Sequence, residues 1–423
     1  MPHESTEVVV VGAGQSGLAM SEHLTNAGIA HLVLEKNTVA HCWRNVRWDS
    51  LVTNGPAWHD RFPTREFTSV GPDEFATKDQ VADYLEAFAQ QIHAPVRERV
   101  EVTRVTKREH ERGFRVETSD GTIDANFVVA ATGPFQQPAI PPIVPQNDQF
   151  LQLHSNQYRN PEQLPPGSVL VVGAGSSGVQ IAAELNAAGR DTYLAVGPHD
   201  RPPRRYRDHD FVYWLGVLGK WEMATPAVGA EHVTIAVSGA AGGHTVDFRQ
   251  LAYDGITLLG RAESCAGSVM HFANDLARNI RNGDANYLSL LDEADAYIAE
   301  NGLDFPEEPS AREILPDPDC VTHPILELDL DKVGISTIIW ATGFRVDYSW
   351  LPARAVDAEG RPLQQRGVSV EPGIYFVGLP WQSRRGSSFI WGCWHDAKYT
   401  ADQITIQRGY ASYRPSPHKL ASV

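Results

Sequence analysis

The sequence predicts an α/β protein made of two Rossmann-like dinucleotide-binding domains. Two features carry that expectation. A strand, glycine turn, helix and strand recur in the same order twice, and each copy is followed far downstream by an apolar strand ending in Ala-Thr-Gly. In the first copy, the β-branched run Val8-Val9-Val10-Val11 suits a parallel strand buried on both faces. It enters Gly12-Ala13-Gly14-Gln15-Ser16-Gly17, and helical spacing then runs from Leu18 to Ala27. Gly28 stops the helix, and His31-Leu32-Val33-Leu34-Glu35 is the next strand. In the second copy, Val169-Leu170-Val171-Val172 leads into Gly173-Ala174-Gly175-Ser176-Ser177-Gly178. A helix over Val179–Ala188 and a strand over Thr192–Val196 follow. Gly12 and Gly173 stand 161 positions apart, too far for a solenoid repeat and suited to separate domains.

The Ala-Thr-Gly strands are Phe127–Gly133 and Ile338–Gly343. Pro/Gly-rich stretches at 138–145 and 161–167 mark a crossing between domains, and Gly373–Gly378 reads as a returning strand. The expected organisation is a flavin domain over 1–145 and 345–423, a nicotinamide domain over 165–344 inserted into it, and a linker over 146–164. Residues 413–417 read as a tail.

Composition narrows the function. Of 423 residues, 42% are hydrophobic and 21% charged, ordinary for a globular protein, and the net charge of −16 disfavours nucleic acid and anionic membranes as partners. No apolar run is long enough to span a bilayer. Met1-Pro2-His3-Glu4 leads into a strand with no basic leader region, so a cytoplasmic protein is expected. Cys42, Cys265, Cys320 and Cys393 form no close pair, which argues against a disulfide framework, a zinc site and a redox dithiol. No metal is expected.

The chemistry of the glycine turns belongs to the backbone. The first glycine makes the turn, the second lets a pyrophosphate approach and the third lets helix and strand pack, with free N–H groups of the helix facing the phosphates. Gly12, Gly14, Ser16 and Gly17, and Gly173, Gly175, Ser176, Ser177, Gly178 and Gln180, are therefore the expected cofactor contacts. The turns differ downstream. Glu35, 18 residues after Gly17, suits a ribose diol and repels a 2′-phosphate, so this site suits FAD or NAD. The same offset from Gly178 gives Val196, and Arg201, Arg204, Arg205 and Arg207 follow. Guanidinium groups there, Arg204 and Arg205 above all, suit the 2′-phosphate of NADPH.

With these motifs in place, the chain resembles the flavin-containing monooxygenases, including the YUCCA-like branch and related bacterial oxidoreductases, along nearly its whole length. Cys42-Trp43-Arg44 and Trp48-Asp49-Ser50-Leu51-Val52-Thr53-Asn54 look like the family's Trp-Arg and aromatic-x-Ser-Leu-x-Thr/Ser-Asn segments. Thr77-Lys78-x-Gln80 with Tyr84-Leu85, and Ala341-Thr342-Gly343-Phe344, are similar to further family motifs. His154 and Tyr158 keep the spacing of the family's FxGxxxHxxx(F/Y) motif, although Asp148 and Phe150 replace its Phe and Gly. Leu379 replaces an Asp found in related reductases. The resemblance implies FAD at the first turn and flavin contacts from Trp43, Arg44, Thr53 and Asn54, with Val102, Thr132, Gly133 and Gly378 added on the same side. It places Ala341, Thr342 and Gly343 on the nicotinamide side, and Ser387, Ser388, Phe389, Trp391, Trp394 and His395 near the flavin.

The implied activity is NADPH-driven formation of a C4a-(hydro)peroxyflavin and transfer of one oxygen atom from O2 to a small organic substrate at N, S or C. Asn54 is the catalytic candidate. Three alternatives stand beside it: a reductase passing electrons to an acceptor without a dithiol, a Baeyer–Villiger oxygenation, and a non-enzymatic FAD sensor. A homodimer is left open.

Overall fold

The computed structural model describes residues 3–145, 149–224 and 233–414. Asp148 and the tail positions 415–417 lie outside them. The chain forms two units. One comprises Met1–Ala40, Leu85–Pro134 and Val346–Val423; the other comprises His41–Tyr84 and Phe135–Arg345.

In the first unit, His3–Val11 lies between His31–Glu35 and Gly121–Ala130, parallel to both. Val96–Glu98 extends the sheet beyond His31–Glu35, and Ile374–Phe376 extends it beyond Gly121–Ala130, again parallel. The order is that of a dinucleotide-binding half. Val8, Val9 and Val10 are fully buried, which explains an uninterrupted β-branched run where a one-sided strand would alternate.

In the second unit, Ser168–Val172 pairs in parallel with Thr192–Ala195 and Ile335–Trp340, and Thr257–Leu259 continues the sheet on one side. On the other edge, Leu151–His154 pairs in parallel with Ile335–Trp340. Those four residues fall inside the stretch that the sequence reading gives to the linker. Their alternation of apolar and polar side chains is that of an edge strand.

The dinucleotide helices are Gln15–Asn26 and Ser176–Ala187, each starting three residues before its apolar spacing begins. The first turn of such a helix faces the phosphates, so it carries no hydrophobic signal. The aromatic stretch near the end of the sequence opens a 23-residue helix, Ile390–Ser412. No described helix is long and apolar enough to cross a membrane.

That helix is bonded to the first dinucleotide helix. His23 Nε2 donates to the Trp394 carbonyl at 3.0 Å, and Trp394 Nε1 donates to Glu22 Oε2 at 2.5 Å. Burial pushes the His23 pKa down to about 4, with Lys398 and His395 adding to the drop and the Trp394 carbonyl and Asp402 opposing it. Below about pH 6.5 the unfolded chain binds a proton that folded His23 refuses. Stability should therefore fall between about pH 6.5 and 4, by up to ~1.4 kcal/mol per pH unit from this group. Urea midpoints measured across that window check this, and His23→Asn should flatten the slope.

Candidate functional site

The first glycine turn has the shape a diphosphate needs. Gly12 sits at φ 107°, and a Cβ there would lie 2.7 Å from the Ala131 carbonyl oxygen. A Cβ on Gly17 would lie 1.8 Å from the Gly12 oxygen, whereas one on Gly14 would meet nothing within 4 Å. The open side of Gly14 leaves room for a diphosphate. Gly378, at φ 88°, is held against the turn, since its Cβ would fall 2.0 Å from Ser16 Oγ.

Glu35 is held from two sides. Its Oε2 accepts from the Ala13 N–H and its Oε1 from the Asn37 N–H, both at 2.9 Å. Lone pairs remain for a ribose diol. Gln15 Nε2 donates to the Ser388 carbonyl at 3.0 Å, so the Ser387–Phe389 stretch lies against the start of the dinucleotide helix. Gly133 is at φ 73°, and a Cβ there would meet nothing within 4 Å. Val102 belongs to the hairpin Val102–Lys107/Phe114–Thr118, and its side chain packs on the core of this unit, so its expected flavin contact is not evident in the side chain. These residues fit a dinucleotide with a free 2′-hydroxyl.

The second turn repeats the backbone and differs above it. Gly173 is also at φ 107°, its Cβ would lie 2.5 Å from the Ala341 oxygen, and a Cβ on Gly178 would again lie 1.8 Å from the first glycine's oxygen. Over Gly175, however, stands Thr234, 3.3 Å from where a Cβ would be. Ser176 Oγ donates to the Ile235 carbonyl at 2.8 Å. Val196, at the position of the missing acid, is fully buried. Thr342 Oγ1 donates to the Ala139 carbonyl at 2.5 Å, and the Gly343 carbonyl accepts from His154 Nε2 at 2.8 Å. His154, fully buried and with its pKa lowered by that burial, ties the strand edge to the Ala-Thr-Gly turn.

The arginine cluster is where the structure corrects the sequence reading. Arg204 is 4% exposed and lies between the Phe75 and Phe211 rings. Its Nε and Nη2 grip the Asp210 carboxylate, with contacts of 2.5 to 3.0 Å, and its Nη1 donates to the Asn54 and Ser238 carbonyls. All three guanidinium nitrogens are engaged and the side chain is buried, so Arg204 is not open to a phosphate. Arg201 is likewise buried on Asp284, and Arg207 is paired with Asp295. Sequence spacing could not find these acids, which lie up to 88 positions away. Arg205 differs: it is exposed, and its guanidinium donates to the Gly242 carbonyl at 3.2 Å.

Around Asn54 the loop is bonded on both sides. The Asn54 carbonyl accepts from Arg204 at 2.7 Å, and its side-chain Oδ1 accepts from Gln180 Nε2 at 2.9 Å. Thr53 Oγ1 donates to the Gly55 carbonyl and accepts from the Ala76 N–H, which engages the hydroxyl within the loop. The Gly55 N–H donates to Asp60 Oδ2. Arg44, the other expected flavin contact beside Trp43, reaches Asp83 at 2.7 Å. Thr77 and Gln80 form a capping box at the start of Lys78–Gln91, each side chain bonding the other's backbone N–H. Their family-like spacing thus has a local structural cause. Asp60, Phe75, Asp210 and Val237 shape this site and carry no motif that sequence reading could have used.

The chain is similar to several known proteins along most of its length. A family model described as pyridine nucleotide-disulphide oxidoreductase matches residues 9–226. The uncharacterized oxidoreductase CzcO-like of Geobacillus kaustophilus is 34% identical over 94% of this chain and 98% of its own length. The probable indole-3-pyruvate monooxygenase YUCCA4 of Arabidopsis thaliana is 28% identical over 94% of this chain and 90% of its own. A flavin-containing monooxygenase from Stenotrophomonas maltophilia shares the fold, with a TM-score of 0.67 at 20% identity, covering 96% of this chain and 99% of that one. The chain belongs to the pyridine nucleotide-disulphide oxidoreductase family. It is an oxidoreductase, and the residues at its two glycine turns fit FAD and NADPH.

Proposed function

We propose that the chain transfers one oxygen atom of O2 to a small organic substrate at the expense of NADPH. The observation that carries this reading is the anchored Asn54, bonded to the helix of the second dinucleotide turn through Gln180. FAD, when bound, supplies hydride acceptance from NADPH and activation of O2. The remaining work belongs to the chain. The turn at Gly14 and Glu35 hold the flavin nucleotide, the turn at Gly175 holds the second pyrophosphate, and Arg205 recognises the 2′-phosphate. Asn54 provides a fixed hydrogen-bond donor for the oxygen being transferred.

The cysteines support this over electron delivery to a dithiol. No disulfide joins them among the described residues, and burial pushes Cys393 up to about 12, far from a reactive thiolate. Asn54→Ala should raise hydrogen peroxide released per NADPH by roughly tenfold or more, the scale of losing one oriented donor. Incubation under 18O2 with amines, sulfides, ketones and aromatic acids, indole-3-pyruvate among them, tests the reaction. Label in a product supports the proposal, and an ester product would assign it to the Baeyer–Villiger type. NADPH oxidation that proceeds only with an electron carrier, and leaves no label, would sink it in favour of the reductase.

A further inference from the structure

The amide of Gln180 has a geometry that fixes more than its own position. Its Nε2 lies 2.8 Å from the Val237 carbonyl oxygen, which can only accept, so this end of the amide is the NH2. The same nitrogen lies 2.9 Å from the Asn54 side chain, which must therefore present its oxygen there. The Asn54 NH2 is then turned away from Gln180, as a donor. Arg204, locked on Asp210, holds the Asn54 backbone carbonyl at 2.7 Å, so the side chain pivots about a fixed main chain.

We propose that Gln180 is a positioning residue that selects which face of the Asn54 amide is offered to the reacting oxygen. This assigns Gln180 a different task from the cofactor contact that its place beside the second glycine turn suggested. Both amide hydrogens serve Val237 and Asn54, so the NADPH-side helix and the Asn54 donor share one hydrogen-bonded link. The inference rests on the reading of Asn54 given above for its consequence in turnover, but the orientation itself does not depend on that reading.

Gln180→Glu is the discriminating change. It keeps the shape and puts an acceptor where the donor was, so Asn54 must rotate to bring its NH2 against the new carboxylate. In protein labelled with 15N at asparagine side chains, the Asn54 amide signal, assigned by its loss in Asn54→Ala, should move on Gln180→Glu even without cofactor. In turnover, Gln180→Glu should raise hydrogen peroxide per NADPH by roughly tenfold, as loss of an oriented group does, with KM for NADPH changed less than about twofold. Gln180→Glu combined with Asn54→Ala should leak no more than Asn54→Ala alone. Gln180→Leu checks that the effect follows from loss of the donor and not from the new charge. An unmoved Asn54 signal, additive leakage, or a large rise in KM with coupling intact would overturn the proposal. If the signal moves while Asn54→Ala leaves coupling intact, the positioning stands and it is the oxygen-transfer role of Asn54 that fails.

Discussion

Gly17→Ala is expected to leave the chain unable to retain FAD. The added Cβ falls 1.8 Å from the Gly12 carbonyl oxygen, and that neighbour is backbone, with no rotamer to yield. Relief requires the helix Gln15–Asn26 to lift from its strand or the turn to open. Overpacking of this kind costs about 1–3 kcal/mol in an adaptable core and more where only backbone can move. Because the distorted element is itself the phosphate site, flavin affinity should drop by about 100-fold or more, equivalent to roughly 2.7 kcal/mol. The ratio of flavin to protein absorbance after purification reads this directly, and full flavin content would refute it. Gly14→Ala makes a useful contrast. Its Cβ enters open space, so the apoprotein should keep its stability while the phosphate loses its cradle. Gly178→Ala repeats the 1.8 Å clash in the second unit and should raise KM for NADPH with flavin content unchanged.

The second large effect concerns Arg204. Arg204→Met removes a guanidinium that is 4% exposed and leaves the Asp210 carboxylate without its counter-charge. Breaking a buried pair from one side costs about 3–5 kcal/mol, since the surviving charge stays desolvated. Thermal unfolding of this unit should shift downward by on the order of 10 °C. Arg204→Met with Asp210→Leu should recover most of that loss, because no lone charge remains. The ratio of kcat/KM for NADPH over NADH separates this role from phosphate recognition. It should hold in any folded Arg204 variant and fall about tenfold or more in Arg205→Ala, where a charge-assisted contact is lost. The opposite pattern would return the 2′-phosphate to Arg204.

The legible parts of the sequence were those governed by local rules. Val8–Val11 and Val169–Val172 announced buried parallel strands, and the glycine turns announced helix starts, because each depends only on neighbours in the chain. Glu35 could be assigned for the same reason: a fixed offset places it at the end of a known strand. The arginines show where such reasoning stops. Arg204 looks like a basic surface residue in sequence, and the features that define it, Asp210, Phe75, Phe211 and the Asn54 carbonyl, come together only through tertiary folding. Thr53 is similar, since its hydroxyl is engaged by Ala76, 23 residues on. Asn54 was legible as a residue of interest through its motif. The orientation of its amide was not, because that is set from 126 positions away by Gln180.

The two glycine turns share one backbone, yet they face different surroundings. Nothing stands over Gly14, while Thr234 stands over Gly175 and the Ile235 carbonyl already holds Ser176. If a diphosphate settles on the second turn as proposed, it meets Thr234 and the Ser176–Ile235 contact there, and any rearrangement of these groups would lower its net affinity. On the proposed function, that difference would suit the first turn to residence, with one cofactor kept through many cycles, and the second to exchange, with the other surrendered in each.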